Sequence, residues 1–530
     1  MKTNDSLWSA TATPPTFTPL MANVEVDVAI LGGGITGLTA ALFLAEAGKS
    51  VTLVEARRIG GVVSQRSTAH LTEAVDTRYS KIASDFGKDG ARLVAQSSRA
   101  AIEKVAELAH AHSIPCDLLR RPGFLYTERE EDVAKLREEL EAAKHAGLAV
   151  ELLDHAPLPF ATKGALRFPD QAQFHVQRYL AGLAAAAQGK GAQIHEETRA
   201  ITVEDGEPCI VHLENGTRIR ARDVIVATHK PLNRVFLQTK VFSYRSYVLA
   251  YRDIVFPDGL FWDTEDPYHY TSAFTIDGVP YLIVGGEDHK TGATQETEER
   301  FDKLHAYTKE RVSVVGEPAY RWSAQVEEPV DGLPFIGRSP ASDHVFVATG
   351  FSGNGMTFGT VAAMLGSDFV LERPNAWAEL YSATRVKPIA SAVTYVTENV
   401  DVPLHFVSDR LHPPDATSLG EVKPGEGKHV RVRGERLAVY CDPRGELHAV
   451  SSVCTHLGCL VKFNAAETTW DCPCHGSRFD IGGKVLDGPA TRPLEVRDVR
   501  HAGRRDSGVI SAGAEAPPAA MGEGRGGDNE

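Results

Sequence analysis

Cysteine is scarce in this chain, with seven in 530 residues, so a secreted scaffold held together by disulfides is excluded. Cationic surplus is missing too. Seventy acidic against 56 basic side chains leave a formal charge of −14, which offers no basic face to a phosphate backbone and removes nucleic acid as an expected partner. No apolar stretch of about 18 residues runs without charges or glycine-rich breaks, and Met1 to Pro19 has neither a basic n-region nor an apolar leader. A cytoplasmic protein without a membrane span is therefore expected. No internal repeat is found. Hydrophobic residues at 42% and charged residues at 24% are ordinary for a globular chain with a large buried core. At about 150 residues per domain, the length suggests two large domains or three smaller ones.

The few cysteines are unevenly placed. Cys441, Cys454, Cys459, Cys472 and Cys474 all fall in the last fifth of the chain, while Cys116 and Cys209 stand alone and read as small buried hydrophobes. Residues 1–23, with Thr-Pro-Pro-Thr and little periodicity, read as a lead-in arm, so the fold is expected to start at Val24. Val26 to Leu31 reads as a buried strand, Gly32 to Gly37 as a glycine-rich turn, Ile35 to Ala47 as a helix stopped by Gly48, and Val51 to Glu55 as a second strand. Helical periodicity then covers Lys81 to His112, Glu130 to His145 and Phe174 to Ala187. Tyr244 to Tyr251, Tyr268 to Ile276 and Val279 to Val284 read as an antiparallel substrate-side set with alternating aromatics. Val345 to Thr349 is another apolar strand, and it runs into the glycine loop Gly350 to Gly355 and a helix. The expected division is an arm (1–23), an oxidoreductase unit (24–384), a tether (385–420), a strand-rich unit (421–500) and a disordered tail (501–530).

Gly32-Gly33-Gly34-Ile35-Thr36-Gly37 fits G-x-G-x-x-G between a strand and a helix. Gly32 makes the tight turn, Gly34 admits a pyrophosphate to the backbone and Gly37 lets the helix approach the strand. The helix N-terminus supplies the anion site. Glu55, eighteen residues after Gly37, ends the second strand, where a carboxylate accepts a hydrogen bond from a ribose hydroxyl. FAD and NAD both use this fingerprint, and the chain has only one copy of it. Gly350 to Gly355 repeats the strand, loop and helix placement and would aim N–H groups and a positive dipole end at a flavin.

Arg58-Ile-Gly-Gly-Val-Val-Ser-Gln-Arg-Ser-Thr-Ala-His-Leu71, Asp223-Val-Ile-Val-Ala-Thr-His229, Asp331-Gly-Leu-Pro-Phe-Ile-Gly337 and Gly350-Phe-Ser-Gly-Asn-Gly-Met356 resemble the glycine oxidase, sarcosine oxidase and D-amino acid oxidase (DAO) family over about Val24 to Leu380. The resemblance implies an α/β fold: a glutathione-reductase-type, Rossmann-like FAD domain with an antiparallel substrate sheet, and hydride transfer from a C–N substrate to the flavin. It implies that Gly32, Gly34, Gly37 and Glu55 hold the ADP half, with Ser64 and Arg66 on the pyrophosphate and flavin side. Thr228 would turn near the adenosine, Ala200 would lie against the adenine, and Gly353, Asn354, Gly355 and Met356 would line the flavin. The attachment points that some relatives use, a cysteine near the second glycine loop or a histidine after the first acid, are replaced here, so non-covalent FAD is expected. Gly285-Gly-Glu-Asp-His-Lys-Thr-Gly292 is similar to the stretch that carries an oxygen-activating lysine, with Lys290 at the matching place, though a solvated loop lysine reads equally well. Tyr247, His269, Tyr270, His289, Arg321 and Trp322 are further substrate-side candidates, although alternating aromatics more often serve packing.

Near the C-terminus, Cys454-x-His456 and Cys472-x-x-His475 are separated by fifteen residues. Two thiolates and two imidazoles are what a Rieske [2Fe–2S] centre takes, with Cys454 and Cys472 on one iron and His456 and His475 on the other. Zinc on four such groups is the competing reading, and the Cys-Pro-Cys-His-Gly-Ser string weighs against it. This stretch resembles the Rieske proteins of cytochrome bc-type complexes. That resemblance implies an all-β domain, a disulfide between Cys459 and Cys474, and a proline loop at Gly488-Pro-Ala490 over the cluster. It also implies that Ser477 donates to a cluster sulfur, whereas Phe479 stands where quinol-oxidising relatives carry Tyr. Losing that hydroxyl should lower the potential within a Rieske range of about −150 to +300 mV.

Taken together, the two modules resemble fusions of a DAO-type FAD domain to a Rieske domain. The resemblance implies a dehydrogenase in which an amine or amino acid reduces FAD and the cluster passes electrons to an acceptor or other electron partner. Two alternatives stay open: the cluster could receive electrons from an external reductase and feed the flavin for a reduction or mono-oxygenation, or the chain could be a redox-sensing, partner-binding module.

Overall fold

Apolar and β-branched residues dominate Val24–Leu31, and its last four positions are buried on both faces, as a central parallel strand requires. The computed structural model describes residues 5–232, 235–312, 316–340, 342–387 and 413–499. In it, Val24–Leu31 pairs in parallel with Arg218–Val226 on one side and Val51–Val54 on the other. Val345–Thr349 and Gln193–His195 extend this eight-stranded sheet in parallel on its two sides, with antiparallel Phe335–Arg338 beyond the former. The helix Ile35–Glu46 is buried on nearly every face because it lies between the helices Val176–Gly189 and Gly355–Val370. Both glycine loops therefore open at the same edge of the sheet, at the C-terminal ends of Val24–Leu31 and Val345–Thr349, where α/β folds bind ligands.

A second sheet of nine strands stands opposite. Its order runs Tyr320–Pro329, Val241–Arg252, Val279–Lys290, His269–Ile276, Leu260–Trp262, Leu119–Thr127, Gly164–Gln173 and His70–Leu71, with Glu151–Leu153 on the side. The expected antiparallel set is present within it, and one parallel contact, Leu260–Trp262 with Leu119–Thr127, makes the sheet mixed. C-terminal to both, Gly427–Val432, Glu435–Cys441 and Leu447–Ser451 form a three-stranded sheet, and four short strands between Lys462 and Asp487 form another. Cys441, Cys454, Cys459, Cys472 and Cys474, with His456 and His475, lie in this all-β part.

The chain departs from the expected layout at three places. Residues before Val24 are not a loose lead-in: Trp8 is fully buried, donates its indole N–H to the Ser67 carbonyl (2.7 Å) and meets His175 and Phe274 edge-on, while Phe17 and Leu20 are buried as well. Isolated apolar residues without periodicity give no sign of this, since their partners come from residues 67–274. Arg385, placed at the start of a surface tether, is instead anchored on Asp331 (2.7 and 2.8 Å). Residues 388–412 of the expected tether, including His405 to Leu411, and the whole expected tail, 501–530, lie outside the described residues. Finally, the helix Tyr79–Ala111 starts earlier than expected and is interrupted at Gly87, whose φ of +79° breaks the helical path.

Candidate functional site

The glycines of the first loop are required by contact. A Cβ on Gly37 would stand 1.9 Å from the Gly32 carbonyl oxygen, and one on Gly32, at φ +109°, would stand 2.4 Å from that of Ala227. Nothing with a side chain fits there, and the next helix keeps an open N-terminus at Gly34, where Ser64 Oγ accepts from Ile35 N–H (3.3 Å). Glu55 accepts from the N–H groups of Gly33 (2.8 Å) and Arg57 (2.9 Å), which oppose the upward push of burial on its carboxyl. Each oxygen keeps a lone pair for a hydroxyl. These groups open into one long cavity that Gly32, Gly34, Glu55, Ser64, Ala200 and Thr228 line at one end. Such a cradle, bare of Cβ atoms and facing a helix N-terminus, fits the pyrophosphate of FAD.

The same cavity continues to the second glycine loop, where Gly353, Asn354, Gly355 and Met356 line it. Asn354 does not point its amide inward: Oδ1 accepts from Asp76 N–H (2.8 Å), tying the loop to the turn that carries Asp76. Asp76 in turn accepts from Gly353 N–H (2.5 Å). The inner end is closed by His70, Ser246, Trp262, Tyr268 and Tyr270 from the nine-stranded sheet and its neighbours. His70 accepts from the Trp262 indole N–H (3.1 Å) and is held neutral, since burial pushes it down to about 3.

In the all-β part, the loops Cys454–Cys459 and Cys472–Ser477 face each other. Cys454 and Cys472 are buried free thiols, and the rings of His456 and His475 stand 5.0 Å apart at 88°. His475 Nδ1 is buried without a hydrogen-bond partner, as a nitrogen reserved for iron would be. His456 spends Nε2 on Gln238 Oε1 (3.0 Å), which leaves Nδ1 for metal. Burial, helped by Lys230, lowers His456 to about 4, and burial with His456, Lys230 and Lys290 lowers His475 to about 3. Both imidazoles are thus neutral at pH 7, the form that ligates. Cys459 and Cys474 are joined in a disulfide that ties the two loops together. Ser477 is fully buried and its Oγ accepts from Ala490 N–H (3.0 Å) in the proline loop. The donor set fits a [2Fe–2S] cluster.

The cavity and the cluster loops share walls. Lys230 lines the cavity, is 6% exposed, and donates to the His475 carbonyl and to Ser243 Oγ, with Glu327 3.3 Å away. Gln325, also a lining residue, donates to the Gly476 carbonyl (3.1 Å). From the other side, Leu486, Asp487, Gly488, Ala490 and Thr491 line the cavity, and the Leu486 and Val485 carbonyls accept from Arg57 and Arg199. Nearby, Glu467 is a buried acceptor for Arg66 (3.2 Å), Arg245 (2.7 Å) and Arg478, and Arg478 also binds Asp471 and Asp487. A charged core therefore welds the two parts.

This placement redistributes the expected residues. Gly32, Gly34, Glu55, Ser64, Ala200, Thr228, Gly353, Asn354, Gly355 and Met356 line the cavity, and Gly37 stands behind its turn. Arg66 lines it as well, but its guanidinium is bound to Glu467 and the Ser323 carbonyl rather than directed at a phosphate. Lys290 is not a lining residue: its ammonium lies 5.7 Å over the Phe242 ring and its charge acts on His475. Of the six aromatic and basic candidates only Tyr270 lines the cavity. Tyr247 bonds His289 (2.9 Å), Arg321 pairs with Glu298 (2.8 Å), Trp322 donates to the Arg66 carbonyl (2.8 Å) and His269 pairs with Asp263 (2.9 Å). Asp76, Ser246, Trp262, Tyr268 and Lys230 carry no motif that would single them out in one sequence.

Two family models match the chain: DAO, FAD dependent oxidoreductase, over residues 27–368, and the Rieske [2Fe-2S] domain over residues 414–498. The Rieske 2Fe-2S iron-sulfur protein YhfW of Bacillus subtilis (strain 168) is 34% identical over 499 residues, which is 93% of this chain and 98% of that protein. Gamma-glutamylputrescine oxidoreductase of Escherichia coli (strain K12) is 30% identical over 218 residues, 40% of this chain and 50% of its own. Among solved structures, glycine oxidase from Geobacillus kaustophilus superposes with a TM-score of 0.59 at 22% identity, covering 68% of this chain and 99% of that one. Among the described residues no helix is long and apolar enough to cross a membrane.

Proposed function

Because the chain belongs to the DAO family of FAD-dependent oxidoreductases and carries a Rieske [2Fe-2S] domain, we propose that it is a dehydrogenase that oxidises the C–N bond of an amine or amino acid and delivers the electrons through the cluster. In such a reaction the substrate C–H bond breaks with its electron pair leaving as hydride, the nitrogen lone pair closes a C=N bond, and water hydrolyses the imine. FAD supplies the two-electron acceptor and the cluster a one-electron outlet toward an acceptor outside the chain. The names of two similar proteins, one an oxidoreductase of gamma-glutamylputrescine and one an oxidase of glycine, support this substrate range.

The observation that carries the reading is the shared wall: Lys230 and Gln325 line the cavity and each holds a carbonyl of the loop that bears His475. Their roles derive from their contacts. Lys230 presents a buried positive charge between the two redox sites, where it favours the more reduced state of either, and its partner Glu327 keeps that charge in place. The main-chain donors at Gly34 and Gly355 orient the cofactor's anionic parts, and the Rieske loop Leu486–Thr491 excludes water along one flank.

The test is anaerobic absorption and EPR of the purified protein mixed separately with amines, amino acids and NAD(P)H. Bleaching of the flavin by a C–N substrate, and then the Rieske EPR signal, is the expected result. The Cys472→Ser variant should still bleach but give no Rieske signal. Reduction of the cluster only by an external reductase, with the flavin reduced afterwards, would overturn the proposed direction.

A further inference from the structure

The inner end of the cavity is acidic and aromatic. Asp76 faces into it, and a Cβ built on Gly353 would stand 2.6 Å from Asp76 Oδ2 and 3.2 Å from the Tyr268 hydroxyl, so these two groups meet at one spot on the flavin loop. Asp288, on the strand Val279–Lys290, lies behind Tyr268 and Tyr270, and its Oδ1 is buried with no hydrogen-bond partner among the described residues. Ser246, a lining residue, is 2.8 Å from the Tyr270 hydroxyl and lies on the strand that pairs with the one bearing Asp288. Burial, with the charge of Asp76 adding to it, pushes Asp288 up to about 7. Such a carboxyl gains most when a cation arrives.

The cations that line the cavity are committed elsewhere. Arg57 and Arg199 bind carbonyls of the Rieske loop, Arg66 binds Glu467, and Lys230 binds the His475 carbonyl and Glu327. His70 is neutral and burial pushes His229 down as well. A substrate carboxylate reaching the inner end would therefore meet Asp76, with Asp288 buried behind the wall, and no guanidinium. An ammonium would meet the Asp76 carboxylate and the aromatic side chains of Trp262, Tyr268 and Tyr270, with the buried Asp288 carboxyl behind that wall, a combination that favours cations.

Building on the proposed C–N oxidation, we propose that the substrate is a cationic amine with no carboxylate beside its reacting nitrogen, and that Asp76 and Asp288 are the residues that select it. The discriminating probes are pairs that differ only by a carboxylate: 1,4-diaminobutane against ornithine, and pyrrolidine against proline. Each is titrated anaerobically into the flavin-loaded protein, reading first the perturbation of the flavin band on binding and then its bleaching.

The diamine and the cyclic amine should bind at least tenfold more tightly than their acids. Asp76→Asn and Asp288→Asn, which preserve shape, should each weaken amine binding about tenfold in protein that retains its flavin. Wild-type binding should tighten from pH 6 to pH 8 as Asp288 ionises against Asp76, Glu287, His269, Tyr268 and Tyr270, and Asp288→Asn should abolish that rise. Equal or tighter binding of the carboxylated partner, or no effect of either variant, would overturn the selection by charge. Amine binding without bleaching would preserve the cation site and remove the oxidation reading, whereas bleaching by the acids alone would do the reverse.

Discussion

The two ends of the cavity are built on different principles. At the nucleotide end the contact surface is backbone: three glycines whose Cβ positions are filled by carbonyl or hydroxyl oxygen, a helix N-terminus and one carboxylate held by two N–H groups. At the inner end it is side chains, brought from the turn at Asp76, the strands at 246, 262 and 270 of the opposite sheet, and Tyr268 just before the last of these. A backbone cradle suits a group that never changes, because it needs only the absence of side chains. A side-chain end can be rewritten one residue at a time without disturbing the cradle, so family membership fixes the cofactor far more tightly than the substrate.

Breaking the backbone end should have the largest effect. Gly37→Ala places a methyl 1.9 Å from the Gly32 carbonyl, so the turn and helix must separate; the purified variant should contain less than a tenth of the wild-type flavin, measured by absorbance after denaturation, and full loading would refute the steric argument. Next comes the charged weld that seats the Rieske loop over that end. Glu467→Gln strands Arg66, Arg245 and Arg478 in a buried setting and should lower stability by about 3–5 kcal/mol, read by urea unfolding, with flavin easier to release. The smallest and most selective change is Phe479→Tyr. A new hydroxyl near the cluster sulfurs should raise the cluster potential on the order of 60 mV, one tenfold step in its redox equilibrium, while the flavin potential stays put in voltammetry. A shift in both potentials would mean that the two sites are not separable in this way.

Legibility in the sequence obeys the same divide. The glycine turn with Glu55, and the cluster groups between Cys454 and His475, are written in contiguous residues, so spacing alone carries their geometry. The substrate end is not contiguous. Tyr270 is within reach of an argument from alternation, yet the same pattern promotes Tyr247 and His269, which point to the other face of the nine-stranded sheet, and Trp322, which shares the face of Tyr270 but spends its indole N–H on the Arg66 carbonyl. Asp76 and Asp288 are lone acids in the sequence and become a pair only through folding. Arg66 shows the other limit: its position beside Ser64 suggests a phosphate, but the Rieske domain brings Glu467 to 3.2 Å from its guanidinium. Trp8 likewise finds its place only because Phe274 and His175 close over it.

The order of strands in the first sheet sets a timetable for synthesis. Val24–Leu31 waits for Arg218–Val226, and that strand waits for Val345–Thr349, so the flavin fold cannot close until the ribosome has passed residue 349. The Rieske segment emerges afterwards, onto a docking face that its predecessor has already made. The wall that it contributes to the cavity, Leu486–Thr491, is thus among the last pieces of the described chain to be born. Flavin arriving before residues 486–491 emerge would meet a groove that still lacks this wall.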